Sequence, residues 1–216
     1  GIRLLAIRLF DNPGMTLLLW SRLVGSGWLV ISSLNGSPEP IAASWLLCSG
    51  LLLSFRTLLI SDNAASMNHV TLAALSGYAW IPQSGWVGMV GMWFVASQLC
   101  VAYVPGGFAK LTSHAWRSGE HFRQIMSNSM VRCPPLAESL DRFPSASKLL
   151  SWSTIALQFT FPLALTANPV VCVGYLIAGL LFHAGIAFTM GLPSFFWAFC
   201  ACYPASLWVN QQINSG

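Results

Sequence analysis

Charge is what this sequence has least of. Of its 216 residues only 7% are Asp, Glu, Lys or Arg, where a soluble domain carries about 25%. So few charges cannot clothe a water-facing surface, which excludes an ordinary soluble enzyme, a nucleic-acid binder and a disordered chain. Several chemical signatures are missing as well. There is no CxxC pair, Cys200-x-Cys202 is too tight for zinc, and His114, Arg117 and His121 lack the close ligand spacing of a metal motif. No Gly-rich phosphate loop, Ser/His/Asp arrangement or dinucleotide fingerprint occurs. The six cysteines (Cys48, Cys100, Cys133, Cys172, Cys200 and Cys202) lie mostly in apolar runs, where a thiol acts as a small hydrophobe.

What the chain does have is apolar length. Hydrophobic residues make up 55% of it, and the mean hydropathy is +0.64. A spanning helix needs ~20 apolar residues. The sequence therefore predicts an all-α, polytopic transmembrane helix bundle of about six to seven spans, with residues 1–216 forming a single integral-membrane domain. The expected spans are Met15–Leu34, Ile41–Ile60, a short one over 67–81, Trp86–Leu111, Leu149–Leu165, Val170–Thr189 and Leu192–Val209. Turn clusters separate them, among them Asn35-Gly-Ser-Pro-Glu-Pro40, Pro82-Gln-Ser-Gly85 and Asn168-Pro169. Residues 1–10 read as a basic interfacial segment rather than a signal peptide. Residues 112–148 read as an extramembrane loop holding an amphipathic helix over 113–130, stopped at Cys133-Pro-Pro135. Gly174, Ala178 and Gly185 fall near one stripe of the sixth span, suited to close helix packing.

The net charge of +4 then becomes a statement about sidedness. Lys and Arg collect in cytoplasmic loops. Seven spans with a cytoplasmic N-terminus place Arg3, Arg8, Arg56 and all of 112–148 inside. The outward connections 35–40, 82–85 and 166–169 contain no Lys or Arg.

Ionisable groups at membrane depth are costly and mark candidate sites. Arg22 and Arg56 fit side chains that snorkel to the surface. Lys110 follows Pro105-Gly106-Gly107, a sequence expected to bend a helix and open a cavity. It reads either as a desolvated amine serving as a base or as a snorkelling interfacial lysine. His183, in the middle of an apolar run, reads either as an acid/base group or as an interhelical hydrogen-bonding residue. His114, Arg117 and His121, at i, i+3 and i+7, would share one helical face, either a polar rim over a cavity or a solvated face. Glu120 and Arg123 suit a surface i,i+3 pair. The abundant aromatics suit interfacial belts and packing, and equally a quinone, lipid or pigment pocket.

The run VAYVPGGFAKLTSHAWRSG over Val101–Gly119 resembles the core of the HTTM (horizontally transferred transmembrane) domain, the membrane portion of vitamin K-dependent gamma-carboxylase. The matching features are Gly107, Lys110-Leu111, Trp116 and Gly119, followed by Leu181-Phe-His183 and the phenylalanine-rich stretch Phe195–Trp208. The order of hydrophobic segments agrees over most of the chain. The resemblance implies that Lys110 is a catalytic base acting on vitamin K hydroquinone, or on another quinone or lipid. Only Lys110 is carried over from the family as catalytic; from their positions in the sequence, His183 is expected as a second catalytic residue and Trp116, His114 and Tyr103 as cofactor-binding residues lining the same pocket. Carboxylases add a large extramembrane region after the membrane domain, whereas this sequence ends just after its last expected span. Their chemistry is extracytoplasmic, whereas the charge placement puts 112–148 inside. Smaller relatives resemble the membrane protein that matures a secreted bacterial peptide toxin, the sporulation-delaying protein.

Two functions follow as expectations. One is a membrane enzyme that modifies or matures a secreted peptide, in a bacterial cell membrane or an organelle membrane. The other is a non-catalytic HTTM-type subunit bound to other membrane subunits. Both make membrane lipid a partner and neither involves nucleic acid. A transporter is disfavoured, because the halves show no inverted repeat and few charges are present to coordinate an ion.

Overall fold

A computed structural model of the chain describes residues 12–56, 63–127 and 134–215. The interfacial segment expected over 1–10, the end of the second expected span (57–60) and Cys133 lie outside the described residues. Everything described is helix joined by short turns, with no strand among the described residues. The chain falls into two compact units, one through Gly91 and one from Met92.

The first unit contains α1 (Asn12–Leu34), α2 (Pro40–Arg56), α3 (Asn63–Trp80) and the start of α4 (Gly85–Thr112). Gly36, with φ +88°, ends α1 in a Schellman turn: Ser37 N–H donates to Ser32 O (3.2 Å) and Gly36 N–H to Ser33 O (3.0 Å). Pro40 then opens α2 where its missing N–H is harmless. Leu29 of α1 packs with Ala42, Ala43 and Leu46 of α2, and Leu72 and Leu75 of α3 close over them. Polar contacts tie α2 to α3, where the Ser44 and Ser76 hydroxyls lie 2.8 Å apart and Trp80 Nε1 donates to Ser44 Oγ at 2.9 Å.

The second unit holds the rest of α4, then α5 (His114–Arg117), α6 (Glu120–Met126), α7 (Pro134–Arg142), α8 (Pro144–Phe159), α9 (Leu163–Thr166), α10 (Pro169–Met190) and α11 (Pro193–Ser215). Helices α10 and α11 form a hairpin across Gly191 (φ +66°) and Leu192. The buried stripe of α10 is Cys172, Leu176, Gly179 and His183. Gly174 and Ala178 are exposed and Gly174 and Gly185 face open space, so the close contact falls one position away from the expected stripe, at Gly179. A Cβ on Gly179 would collide with the Tyr203 hydroxyl of α11.

Three helices are long and apolar enough to cross a membrane: Pro13–Leu34 of α1, all of α4, and all of α10. Their surfaces expose large apolar side chains, such as Leu34 at 82% and Phe188 at 85%, as a lipid surround requires. The other four expected spans correspond to α2, α3, α8 with α9, and α11. Helix α2 carries a shorter apolar stretch, Pro40–Phe55. Helix α3 is punctuated by Asn68, His69 and Thr71, α8 has 16 residues, and α11 ends in Asn210-Gln-Gln-Ile-Asn-Ser215.

The amphipathic helix expected over 113–130 is divided. Ser113 caps α5 by accepting from Trp116 N–H (3.4 Å), and Gly119, at φ +80°, turns the chain before α6. A Cβ at Gly119 would also press on the backbone of Lys148 at 2.6 Å. The glycine is thus required both for its dihedral and for close approach to α8. His114 and Arg117 on α5 consequently belong to a different helix from His121 on α6.

Candidate functional site

Helix α4 positions the site. Its buried residues Val95, Leu99, Tyr103 and Gly107 recur every four positions and define one stripe. Pro105 lies inside α4 without ending it, so the helix carries this stripe on to Lys110. At Gly107 the stripe is nearly backbone against backbone. A Cβ there would clash with the main chain of Gln158 and Phe159. That approach brings the end of α8 alongside both Tyr103 and Lys110.

Two linked clusters result. In the first, Tyr103 Oη lies 2.7 Å from His183 Nε2 and 3.1 Å from Tyr203 Oη. Tyr103 stacks on Phe161 (centroids 4.3 Å), and His183 stacks on Phe199 (4.0 Å). All five side chains are buried. His183 Nδ1 is buried and has no hydrogen-bond partner among the described residues. If Tyr103 donates to Nε2, Nδ1 carries a proton with no acceptor. If Nε2 donates, Nδ1 is a bare lone pair. Either way the ring has one unused position for a proton or a polar ligand atom.

In the second cluster, Lys110 Nζ donates to Gln158 Oε1 at 3.0 Å and to Gly106 O at 3.3 Å, and lies 5.0 Å from the centroid of the Trp116 ring. Two acceptors fix two N–H directions and leave a third tetrahedral position, a lone pair in the amine and a proton in the ammonium. The indole face stabilises the charged form. Trp116 is itself tied to α8, because Ser151 Oγ donates to its carbonyl at 2.5 Å.

Of the residues singled out from the sequence, Lys110 meets Trp116, and Tyr103 meets His183. His114 is exposed, and the imidazole beside Trp116 is instead that of His121, with ring centroids 5.1 Å apart. Four residues were not singled out individually: Gln158, Phe161 and, within the phenylalanine-rich stretch, Phe199 and Tyr203. Gln158 is a buried amide in a helix that also carries Ser147, Lys148, Ser151, Ser153 and Thr154, so it did not stand out as His183 does in its apolar run. Tyr203 and Phe161 stand among many aromatics and carry no distinguishing pattern. Among the described residues, no three His, Cys, Asp or Glu side chains come together so as to hold a metal ion.

No protein-family model, curated protein or solved structure matches this chain.

Proposed function

We propose that this chain is an integral membrane protein of HTTM type that modifies a peptide, with Lys110 as the proton-accepting base. In this reading α2, α3, α8 with α9, and α11 join the three long apolar helices to complete a domain of six to seven spans. The observation that carries it is the setting of Lys110. Its amine is half-buried, held by Gln158 and Gly106 O, and has one direction free. A lysine with only an interfacial role gains by extending to water, whereas this amine is held against α8 and its own helix.

The residues fit an aromatic hydroxylated ligand. Trp116 offers a face beside the amine, and the Tyr103–His183–Tyr203 cluster offers hydroxyl and imidazole groups one α4 stripe away. A bound hydroquinone, or a related lipid, supplies an acidic hydroxyl. Lys110 takes that proton on its free position, and the Trp116 ring stabilises the resulting ammonium. Gln158 keeps the amine aimed throughout. His183 holds or releases a second proton through Tyr103, since its Nδ1 is uncommitted.

The test is a carboxylation assay on the purified protein, using vitamin K hydroquinone, oxygen, labelled bicarbonate and a glutamate-rich peptide. Label enters the peptide with the wild-type protein and not with Lys110→Ala, while both show the same helical circular dichroism. No incorporation by the wild type, or equal incorporation by the variant, overturns the reading. An obligate hetero-assembly in native mass spectrometry, together with an inactive wild type, would favour a non-catalytic subunit.

A further inference from the structure

Arg22, inside a helix of membrane length, has no part in the chemistry proposed for Lys110. It stands ten residues after Asn12 and twelve before Leu34, so it lies about 15 Å and about 18 Å from the two ends of α1. Its guanidinium turns onto α2 rather than along α1 toward either end. Its Nη1 donates to the Leu46 carbonyl at 2.9 Å and to Ser49 Oγ at 2.5 Å, both on α2. Both acceptors are neutral. The three N–H groups on Nε and Nη2 have no acceptor among the described residues.

Gly50 lets the His69 imidazole come close to this guanidinium. A Cβ there would lie 3.0 Å from His69 Nε2 and 3.4 Å from Arg22 Nη1, so the two nitrogens meet over the bare glycine backbone. His69, on α3, has no hydrogen-bond partner among the described residues. Three helices thus bring a guanidinium, an imidazole and a buried hydroxyl together around one glycine. A cation at mid-helix with only neutral partners is unfavourable in a membrane. The component that completes the cluster is an oxyanion, which suits the fork geometry of arginine.

We infer that α1, α2 and α3 form a binding site for the carboxylate or phosphate of an amphipathic ligand, held by the free edge of Arg22 and the His69 imidazole. The ligand carries an apolar chain because Arg22 stands at mid-helix in α1, beside the exposed apolar side chains of Leu19 and Leu23. This site is independent of Lys110.

The experiment titrates the full-length protein, in nonionic detergent, with oleate, with lysophosphatidate and with inorganic phosphate, and follows heat of binding. Saturable binding of oleate or lysophosphatidate is expected, and the tighter of the two identifies the headgroup chemistry. Arg22→Gln weakens that binding by about tenfold or more, the scale of a lost charge-assisted pair. Gly50→Val, which forces the His69 and Arg22 side chains apart, and His69→Asn also weaken it, and Arg22→Lys, which keeps the charge but loses the fork, falls between Arg22→Gln and the wild type. These three variants carry the test if Arg22→Gln does not fold. Absence of saturable binding to the wild type overturns the inference. So does affinity unchanged in all the folded variants, or inorganic phosphate binding as tightly as either amphiphile.

Discussion

Tyr103 and His183 are 80 residues apart in the chain, and their side chains meet at 2.7 Å. The contact is buried and shared: the same Tyr103 hydroxyl reaches Tyr203 at 3.1 Å. One oxygen therefore serves two partners from α10 and α11, and it couples the hairpin to α4.

Tyr103→Phe removes that oxygen and leaves two buried groups unpaired, His183 Nε2 and the Tyr203 hydroxyl, whereas Tyr203→Phe removes one hydrogen bond and leaves Tyr103 still bonded to His183. Each orphaned polar group costs about 1–3 kcal/mol. Thermal unfolding in detergent should therefore place Tyr103→Phe clearly below Tyr203→Phe in stability, with both below the wild type. Equal stabilities would show that the cluster is not shared through Tyr103.

The paired glycines before Lys110 separate cleanly. A Cβ on Gly106 meets Gln158 Oε1 at 3.4 Å and Lys110 Nζ at 3.6 Å, ordinary contact distances, whereas one on Gly107 strikes the backbone of α8. Gly106→Ala should be tolerated and gain up to about 1 kcal/mol of helix propensity. Gly107→Ala should lose about 1–3 kcal/mol or more as α4 and α8 are forced apart. Melting temperatures of the two variants provide the comparison.

Asn210 is a staple. Its Nδ2 donates to the carbonyls of Ala164 (3.1 Å), Leu165 (3.2 Å) and Ala167 (2.7 Å), the turn where α9 ends short of α10. Asn210→Ala leaves these carbonyls to Asn214, which reaches only Ala167. A loss of about 2 kcal/mol is expected from the buried acceptors left unpaired. Hydrogen exchange around 163–168 should speed up in that variant before the rest of the unit responds.

Gln158 and Trp116 restrain the Lys110 amine from two sides. Gln158→Leu removes the nearer acceptor and Trp116→Leu removes the ring, worth about 1 kcal/mol. Acylation of Lys110 by an amine-reactive reagent, read by mass spectrometry, should rise in both variants relative to the wild type. No change in either would mean that these contacts do not hold the amine.

Much of this was legible before any coordinates. Scarce charge and long apolar runs dictate helices, because a backbone in lipid satisfies its polar groups within helices. The turn clusters at 35–40, 82–85 and 168–169 mark where those helices end, and the described helices stop there. Lys110 and His183 stood out for the same reason, being polar groups in apolar surroundings. Less legible are the features for which periodicity is weak. Gly174 and Gly179 are alike by composition, and a near-uniformly apolar helix gives no sign of which face is covered. The division of 113–130 turned on one glycine whose positive φ is demanded by the close approach of α8, a contact between residues 28 positions apart.

Composition and pattern by themselves determined that the chain is helical, that several helices have membrane length, and that only a handful of ionisable side chains lie among them. Tertiary packing alone decided which of those side chains meet. Tyr103 joins His183, Lys110 joins Gln158 and Trp116, and Arg22 joins Ser49 beside His69. The reason is that burial in an apolar helix is a local property that hydrophobicity records, whereas partnership depends on helix rotation and approach. Those are set by where Gly50, Gly107, Gly119 and Gly179 allow neighbouring elements to come close.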